Sequence, residues 1–169
     1  MWRLCCALLL VGCNCVPPPP PTDGGSCEFE AQWGREPNCV FQPFATGQNA
    51  EMTLGFQGFR FVESAARLTG TTSPSAKFTF ELAIEGQAAA AQPAGTIDLR
   101  TGDDGALYAH ELLLFLNDVP LAELIGRHAD ITLGATIGTC HATHAVTVTL
   151  VDEDPSIQGA DAGLLCPGP

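Results

Sequence analysis

The stretch Lys77-Phe78-Thr79-Phe80-Glu81-Leu82-Ala83-Ile84-Glu85 decides the fold of this chain, because apolar and polar side chains alternate along it. Neighbouring side chains of a β-strand point to opposite faces, so this alternation predicts a strand with one buried and one solvated face. The same pattern recurs over residues 130–137 and again over residues 146–150. Together the three segments predict a β-sheet that covers a hydrophobic core with one of its faces.

Three further segments are predicted to be extended. Residues 54–62 contain two glycines, which indicate a bulge or a close backbone approach. Residues 96–100 suit a short strand, and the apolar run at residues 107–116 suits a buried strand or a helix. The sequence Thr-Gly-Asp-Asp-Gly at residues 101–105 is typical of a turn, so a hairpin of two strands is favoured there.

Helix is predicted only at residues 120–127, where a proline begins the segment and leucines follow at helical spacing. The alanine run at residues 88–91 is flanked by Gly, Gln and Pro, which favours a loop. About seven short strands separated by turns predict an all-β fold, a two-sheet antiparallel β-sandwich. We expect one such domain over residues 27–169, because this length suits a single core.

The first thirteen residues carry the clearest functional signal. A basic residue and an apolar run lead to Leu10-Val11-Gly12-Cys13, which resembles the lipobox of bacterial lipoproteins. The resemblance implies a signal peptide at residues 1–12, cleavage before Cys13, and attachment of fatty-acyl chains such as palmitate to that cysteine. The apolar run is too short to span a bilayer, which takes about 20 residues. Asn14 stands where an aspartate would imply the inner membrane, so the resemblance implies the outer membrane.

A tether is predicted over residues 13–26. Five consecutive prolines at residues 17–21 favour an extended polyproline segment of about 3.1 Å per residue, and Thr-Asp-Gly-Gly-Ser follows. Such a segment would hold the domain away from the lipid surface.

From residue 41 to residue 151 the chain resembles uncharacterised predicted bacterial lipoproteins with immunoglobulin-like sandwich domains. The resemblance is carried by three segments: Met-Thr-Leu-Gly-Phe-Gln-Gly at 52–58, Gly-Arg-His-Ala-Asp-Ile-Thr-Leu at 126–133 and Thr-Val-Thr-Leu-Val at 147–151. It implies an immunoglobulin-like path for the strands, and that group brings no known activity.

Four of the eight cysteines fall in the predicted domain, and an exported location favours disulfides among them. The immunoglobulin-like path would place Cys39 at the start of the first strand and Cys140 in a turn at the same end. The resemblance therefore implies the pair Cys39–Cys140 and leaves Cys27–Cys166, while Cys27–Cys39 with Cys140–Cys166 stays open. The role of Cys15 also stays open.

Charge and composition exclude some partners. Nineteen acidic and seven basic side chains give a net charge of -12, which offers no attraction for a phosphate backbone, so no nucleic-acid partner is expected. His141 and His144 form an H-x-x-H that lacks the glutamate of zinc proteases. The weak candidates for calcium are four aspartates in turns: Asp103, Asp104, Asp152 and Asp154. Solvated turns explain both groups, so no metal or other cofactor is expected.

The sequence favours a non-enzymatic, lipid-anchored envelope protein whose sandwich binds a protein or a glycan or serves in assembly. No G-x-S-x-G motif supports catalysis. One alternative is a calcium-dependent adhesive or carbohydrate-binding module, for which a groove lined by Trp33 or Tyr108 would be the structural sign. Another is a hydrolase whose catalytic residues meet only in space. The oligomeric state stays open.

Overall fold

The computed structural model describes residues 28–54, 60–85, 87–88, 92–116 and 120–152. The predicted signal peptide and tether lie outside these residues, and their boundaries therefore stay predictions. The same holds for four of the predicted site positions: Cys13, Cys27, Asp154 and Cys166.

Eleven β-strands make up most of the described chain. They are β1 (Glu30–Arg35), β2 (Gln42–Pro43), β3 (Asn49–Leu54), β4 (Arg60–Thr69), β5 (Ser75–Ile84), β6 (Gln87–Ala88), β7 (Gln92–Asp98), β8 (Arg100–Thr101), β9 (Leu107–Phe115), β10 (His128–Ile137) and β11 (Cys140–Asp152). The described residues also contain two 3-10 turns, Pro37–Cys39 and Leu121–Glu123, and no α-helix. None of their helical segments is long and apolar enough to cross a membrane.

The strands form one continuous mixed sheet that curls on itself. One half contains β8, β9, β4 and β1, and the other contains β11, β10 and β5, with β6 and β7 beside β5. β3 joins the halves because it pairs antiparallel with β4 and parallel with β11. The all-β prediction is therefore confirmed. The antiparallel two-sheet sandwich is not confirmed in that form, because the parallel pair and the shared strand make one mixed sheet.

The inner face of the curled sheet supplies the core. Phe78, Phe80 and Leu82 of β5 are buried, as their alternation with polar residues predicted. The predicted inward positions of β10 and β11 are buried as well: Ile131, Leu133, Ala135, Val146, Val148 and Leu150. These three strands are central in their half of the sheet, which explains why the alternating pattern located them correctly.

Strand β1 was missed by the sequence analysis, and it brings Trp33 into the core. The indole is fully buried and contacts Phe44, with ring centroids 4.3 Å apart, and Phe80, with centroids 5.9 Å apart. The Trp33 backbone N–H donates a hydrogen bond of 2.9 Å to Nδ1 of His144 on β11. A side chain of one half of the sheet therefore bonds the backbone of the other half.

Several predicted boundaries were wrong in detail. Residues 54–62 are not one strand, because β3 ends at Leu54 and β4 begins at Arg60 opposite it, with the intervening residues outside the described ranges. Gln87 and Ala88 form β6 where a loop was predicted. For the run at 107–116 the favoured prediction, a strand in a hairpin, is confirmed, because β9 (Leu107–Phe115) pairs with β8 across the predicted turn. The predicted helix at 120–127 is reduced to one 3-10 turn.

Candidate functional site

An open cleft of about 680 Å3 lies on the outer face of the half-sheet that contains β1, β4, β9 and β8. One wall is the chain between β1 and β2, which includes Val40 and Phe41. The opposite wall is the hairpin that joins β8 to β9 and contains Asp103. We call this the Tyr108 cleft, because Tyr108 lies at the centre of the row of side chains between the two walls.

The strand register aligns four lining side chains in one row. Gln32 of β1 lies opposite Arg67 of β4, Arg67 lies opposite Tyr108 of β9, and Tyr108 lies opposite Arg100 of β8. Cross-strand partners point to the same face of a sheet. The residues next to them along the strands are buried on the inner face: Ala31, Trp33, Ala66, Leu68, Leu107 and Ala109. The row is therefore fixed by the same alternation that builds the core.

Asp104, in the turn before β9, fixes the centre of this row. Its Oδ2 accepts hydrogen bonds from Arg67 Nη2 and from the Tyr108 hydroxyl, both at 2.8 Å, and from Arg67 Nε at 3.1 Å. Its Oδ1 accepts one from the Ala106 N–H at 3.0 Å. The hydrogen bonds from Arg67 and then from the Ala106 amide lower the pKa of Asp104 to about 2, because they favour the charged form. The network therefore persists through the whole neutral and mildly acidic range.

A close approach of the backbone holds the Tyr108 ring from another side. A Cβ atom at residue 102 would lie 2.5 Å from Cε2 of Tyr108, so a side chain at that position of the hairpin would force the ring to shift. Phe41 of the opposite wall meets Tyr108 edge to face, with ring centroids 5.8 Å apart. Burial, with the hydrogen bond to Asp104, raises the pKa of Tyr108, so its hydroxyl stays a donor at neutral pH. The ring therefore has one set orientation in the cleft.

Glu36 and His110 form a second polar pair in the cleft. His110 Nδ1 lies 2.7 Å from Glu36 Oε2, and since a carboxylate only accepts, the imidazole donates. The Glu36 side chain is 12% exposed, which is low for a carboxylate that lines an open cleft. The His110 ring is nearly parallel to Tyr108, with centroids 6.1 Å apart. The pair thus extends the row of aromatic and polar side chains along β9.

The wall between β1 and β2 depends on two local features. At Gly34 a Cβ would collide with the Gln42 carbonyl and the Phe41 ring, so the missing side chain lets the returning chain lie against β1. Asn38 and Cys39 follow with left-handed φ angles of 55° and 61°, which reverse the chain. This wall is tightly bent and held close to the sheet.

Cys39 lies in this wall and lines the cleft. It was predicted at the start of the first strand, and this was wrong, because β1 precedes it. Cys140 begins β11 directly after the turn from β10, close to its predicted place. Both cysteines are disulfide-bonded. The pairing Cys39–Cys140 stays a prediction, as does Cys27–Cys166.

The structure does not bring the candidate calcium ligands together. Asp104 bonds Arg67, whereas Asp152 bonds Arg60, with Nη1 and Oδ1 2.6 Å apart. The two arginines are seven residues apart on β4, about 23 Å along the strand, so the two aspartates bond different ends of it. Asp103 lines the cleft beside Asp104. Among the described residues no group of three or more His, Cys, Asp or Glu side chains could hold a metal ion.

His141 and His144 do not converge either. Both lie on β11, and residues three apart on a strand point to opposite faces. His141 is exposed and contacts Thr136 through Nδ1 at 3.0 Å, while His144 faces inward and accepts the Trp33 N–H. Burial lowers the pKa of His144, so the neutral form that accepts this bond is favoured. The two histidines of the H-x-x-H motif therefore do not form a common site.

Tyr108, Asp103 and Asp104 were predicted as candidates for separate reasons, whereas His110 was interpreted as a core or edge residue and Arg67 was not predicted. Arg67 stands between Ala66 and Leu68, an outward position of an alternating segment. Assigning residues 63–69 to a strand would have placed it on an outer face. Its meeting with Tyr108 depends on the pairing of β4 with β9, which short-range patterns do not encode.

The comparisons with known proteins assign no family to this arrangement. No protein-family model matches the chain, and no curated protein is significantly similar to it.

Proposed function

We propose that this protein is a non-catalytic, lipid-anchored protein of the bacterial cell envelope and that the Tyr108 cleft is its binding site. One observation carries the proposal: the row of Gln32, Arg67, Tyr108 and Arg100 that lies across four strands between two walls. Concave sites with a few fixed polar groups around aromatic side chains are typical of ligand binding. A rigid scaffold that positions such groups in advance reduces the entropy lost on binding.

A binding role is favoured over the alternative of a hydrolase. The described serines are Ser64, Ser73 and Ser75, and none of them lines the cleft. Ser64 is buried and donates to the Leu112 carbonyl at 2.7 Å, and Ser73 donates to the Ser75 carbonyl at 2.8 Å. The His110–Glu36 pair orients an imidazole, yet no described serine stands beside it as a nucleophile. The proposed protein binds its ligand without changing it.

The proposed anchor is an acylated Cys13 in the outer membrane, and residues 14–26 are the proposed spacer. The lipobox-like segment and the proline tract support this part of the proposal. Mass spectrometry of the mature protein tests it, with an amino-terminal peptide that begins at an acylated Cys13 as the expected result. An unmodified Cys13, or cleavage at another residue, would contradict the anchor.

The proposed domain type is an immunoglobulin-like sandwich. In that architecture strands A, B, E and D form one sheet and strands C, F and G the other. The order β1–β4–β9–β8 corresponds to the first sheet and β5–β10–β11 to the second, which supports the proposal. The Tyr108 cleft then lies on the outer face of the sheet formed by A, B, E and D.

Site-specific photo-crosslinking in intact cells tests the binding role. Val40 is 61% exposed on the cleft wall, and Leu54, 46% exposed at the end of β3, is the matched control. A photoreactive residue at position 40 is expected to capture an envelope component, and an additional Tyr108→Ala change is expected to abolish the capture. An equal yield of crosslinked component from positions 40 and 54 would contradict the proposal. So would a yield that Tyr108→Ala does not reduce.

A further inference from the structure

The two walls of the Tyr108 cleft differ in polarity. The wall between β1 and β2 contributes Val40, Phe41 and Pro43, which are apolar. The hairpin contributes hydroxyl, guanidinium and carboxylate groups: Arg100, Thr101 and Asp103. A ligand that fills the cleft therefore needs an apolar side and a polar side close together. A pyranose ring has this division, because its C–H groups form an apolar face and its hydroxyls form a polar edge.

The charge balance of the cleft points to a neutral ligand. Arg67 and Arg100 face three carboxylates, Glu36, Asp103 and Asp104, and the Arg67 charge is already neutralised by Asp104. The whole chain carries a charge of -12, so a polyanion would be repelled before it reached the cleft. Arg100, which has no carboxylate partner among the described residues, would disfavour a cationic group placed directly beside it.

The hydrogen-bonding groups divide into positioning groups and available groups. Asp104 Oδ2 already accepts three hydrogen bonds, so this carboxylate positions Arg67 and Tyr108 and has little capacity for a ligand. Among the described residues nothing bonds the Arg100 guanidinium or the Asp103 carboxylate, which lie in the same cleft. A fork of donors and a pair of acceptors are thus available, and both suit neighbouring hydroxyls of a sugar.

An extended peptide suits the site less well. Peptides often bind by adding a strand to a free sheet edge, and this requires a row of unpaired backbone groups. The outer strands at this cleft, β2 and β8, have only two residues each. Edges so short offer little template for an added strand.

From these observations we propose that the Tyr108 cleft binds a neutral oligosaccharide, with one sugar ring against Tyr108 and Phe41 and its hydroxyls bonded to Arg100 and Asp103. The inference rests on the proposed binding function and specifies its ligand class. The ordered Tyr108 ring supplies a rigid amphipathic surface, which limits the entropy lost on binding. The ligand is expected to be a polymer of the envelope or of a neighbouring surface, since the anchor keeps the protein there.

The test measures binding of oligosaccharides to the full-length, detergent-solubilised protein by isothermal titration calorimetry. The probes are neutral hexasaccharides of glucose, mannose and N-acetylglucosamine, with an oligogalacturonate as the anionic comparison. Each is used at about 5 mM, which would mostly fill even a site with a Kd of about 1 mM. At least one neutral probe is expected to bind, whereas the oligogalacturonate is expected not to bind. Tyr108→Ala is expected to weaken binding at least about tenfold.

Matched variants separate the cleft from the stability of the domain. Phe115→Ala removes another β9 ring, which contacts Phe61 at a centroid distance of 5.9 Å outside the cleft, and is expected to leave binding unchanged. Asp103→Asn, in the exposed turn of the hairpin, is expected to keep the fold and to weaken binding even if Tyr108→Ala unfolds. Thermal melting confirms which variants are folded.

Three outcomes would overturn the saccharide inference. In the first, no neutral probe binds, while crosslinking at position 40 still depends on Tyr108; the binding function then stands with another ligand class. In the second, a probe binds but responds equally to Phe115→Ala and to the cleft variants, which contradicts both proposals. In the third, the oligogalacturonate binds more tightly than every neutral probe.

Discussion

Arg60 and Arg67 lie seven residues apart on β4, and each binds an aspartate. The two pairs lie in very different surroundings. Arg60 contacts Asp152 through one hydrogen bond of 2.6 Å. Arg67 shares Asp104 with the Tyr108 hydroxyl and a backbone amide, and it lies between the walls of the cleft. The arginine side chains are 20% and 28% exposed and both aspartates are 42% exposed, so exposure does not distinguish the pairs.

The side chains around an ion pair, more than its charge, therefore decide whether the pair is part of a site. An isolated surface pair contributes little to stability, since solvent screens it and side-chain entropy is lost. In the Arg67 pair the same carboxylate also fixes the direction of an aromatic ring, so its effect is on the geometry of the cleft. Changes at Asp104 and Gly102 test this contrast between the cleft end and the Asp152 end of β4, and changes at Cys39 and His144 test what stabilises the sheet.

The largest expected effect comes from the disulfides, because Cys39 lies in the cleft wall. Cys39→Ser is expected to cost about 2–4 kcal/mol in the free energy of unfolding, as native disulfides commonly do. Urea denaturation of Cys39→Ser, Cys140→Ser and the double variant measures it. If Cys39 bonds Cys140, the double variant costs no more than either single variant. Additive costs would instead show that Cys39 and Cys140 have different partners, as in Cys27–Cys39 with Cys140–Cys166.

Asp104→Asn and Asp152→Asn form the second and most direct contrast. Asp104→Asn weakens the bonds from Arg67 and Tyr108, so ligand binding is expected to fall about tenfold, as when an anchoring contact is lost. Asp152→Asn is expected to leave it within about twofold. Calorimetric titration with the tightest neutral hexasaccharide compares them. Equal losses of affinity in the two variants would contradict the assignment of ligand binding to the Tyr108 cleft.

Gly102→Ala is expected to have a smaller effect on the same ring. The added Cβ would lie 2.5 Å from Tyr108 Cε2, so the ring must shift, and binding is expected to weaken about threefold because small displacements impair a preorganised site. Gly95→Ala is the control, since open space surrounds its Cβ position. Affinity that is unchanged in Gly102→Ala would show that the exact place of the ring does not matter.

Mild acid is expected to produce the smallest effect, a decrease in the free energy of unfolding. The decrease comes from His144 on β11, which lies away from the cleft. The folded-state pKa of His144 is lowered by burial, so the unfolded chain binds the proton more tightly. The His144 contribution is therefore complete above pH of about 6.5 and declines as the pH falls below it. Asp104, with its pKa of about 2, contributes above pH of about 4 and loses its contribution only toward pH 2.

Chemical denaturation between pH 7 and pH 5 measures this difference. His144→Asn is expected to flatten the decline in stability over that range, while His141→Asn, on the exposed face of β11, is expected to leave it unchanged. A decline that persists in full in His144→Asn would assign it to another group.

The sequence predicted the central strands well because their inward residues are large and alternate without interruption, as in Phe78, Phe80 and Leu82. It missed β1, because only Ala31 and Trp33 mark the inward face of that strand. Two apolar residues are too few to show an alternating pattern. The turn at 101–105 was correctly predicted from its glycines and aspartates. The cleft itself was not predicted, because Gln32, Arg67, Tyr108 and Arg100 meet only through the register of four strands.

Hydrogen exchange of the full-length protein, with and without the tightest neutral hexasaccharide, shows which residues the bound ligand covers. We expect slower exchange of backbone amides in residues 36–43 and 100–108, which form the walls and the centre of the Tyr108 cleft. Residues 60–62 and 149–152, around the Arg60–Asp152 pair, should exchange at an unchanged rate. Protection at the Asp152 end, or none at the cleft, would contradict the claim that the Tyr108 cleft is the binding site.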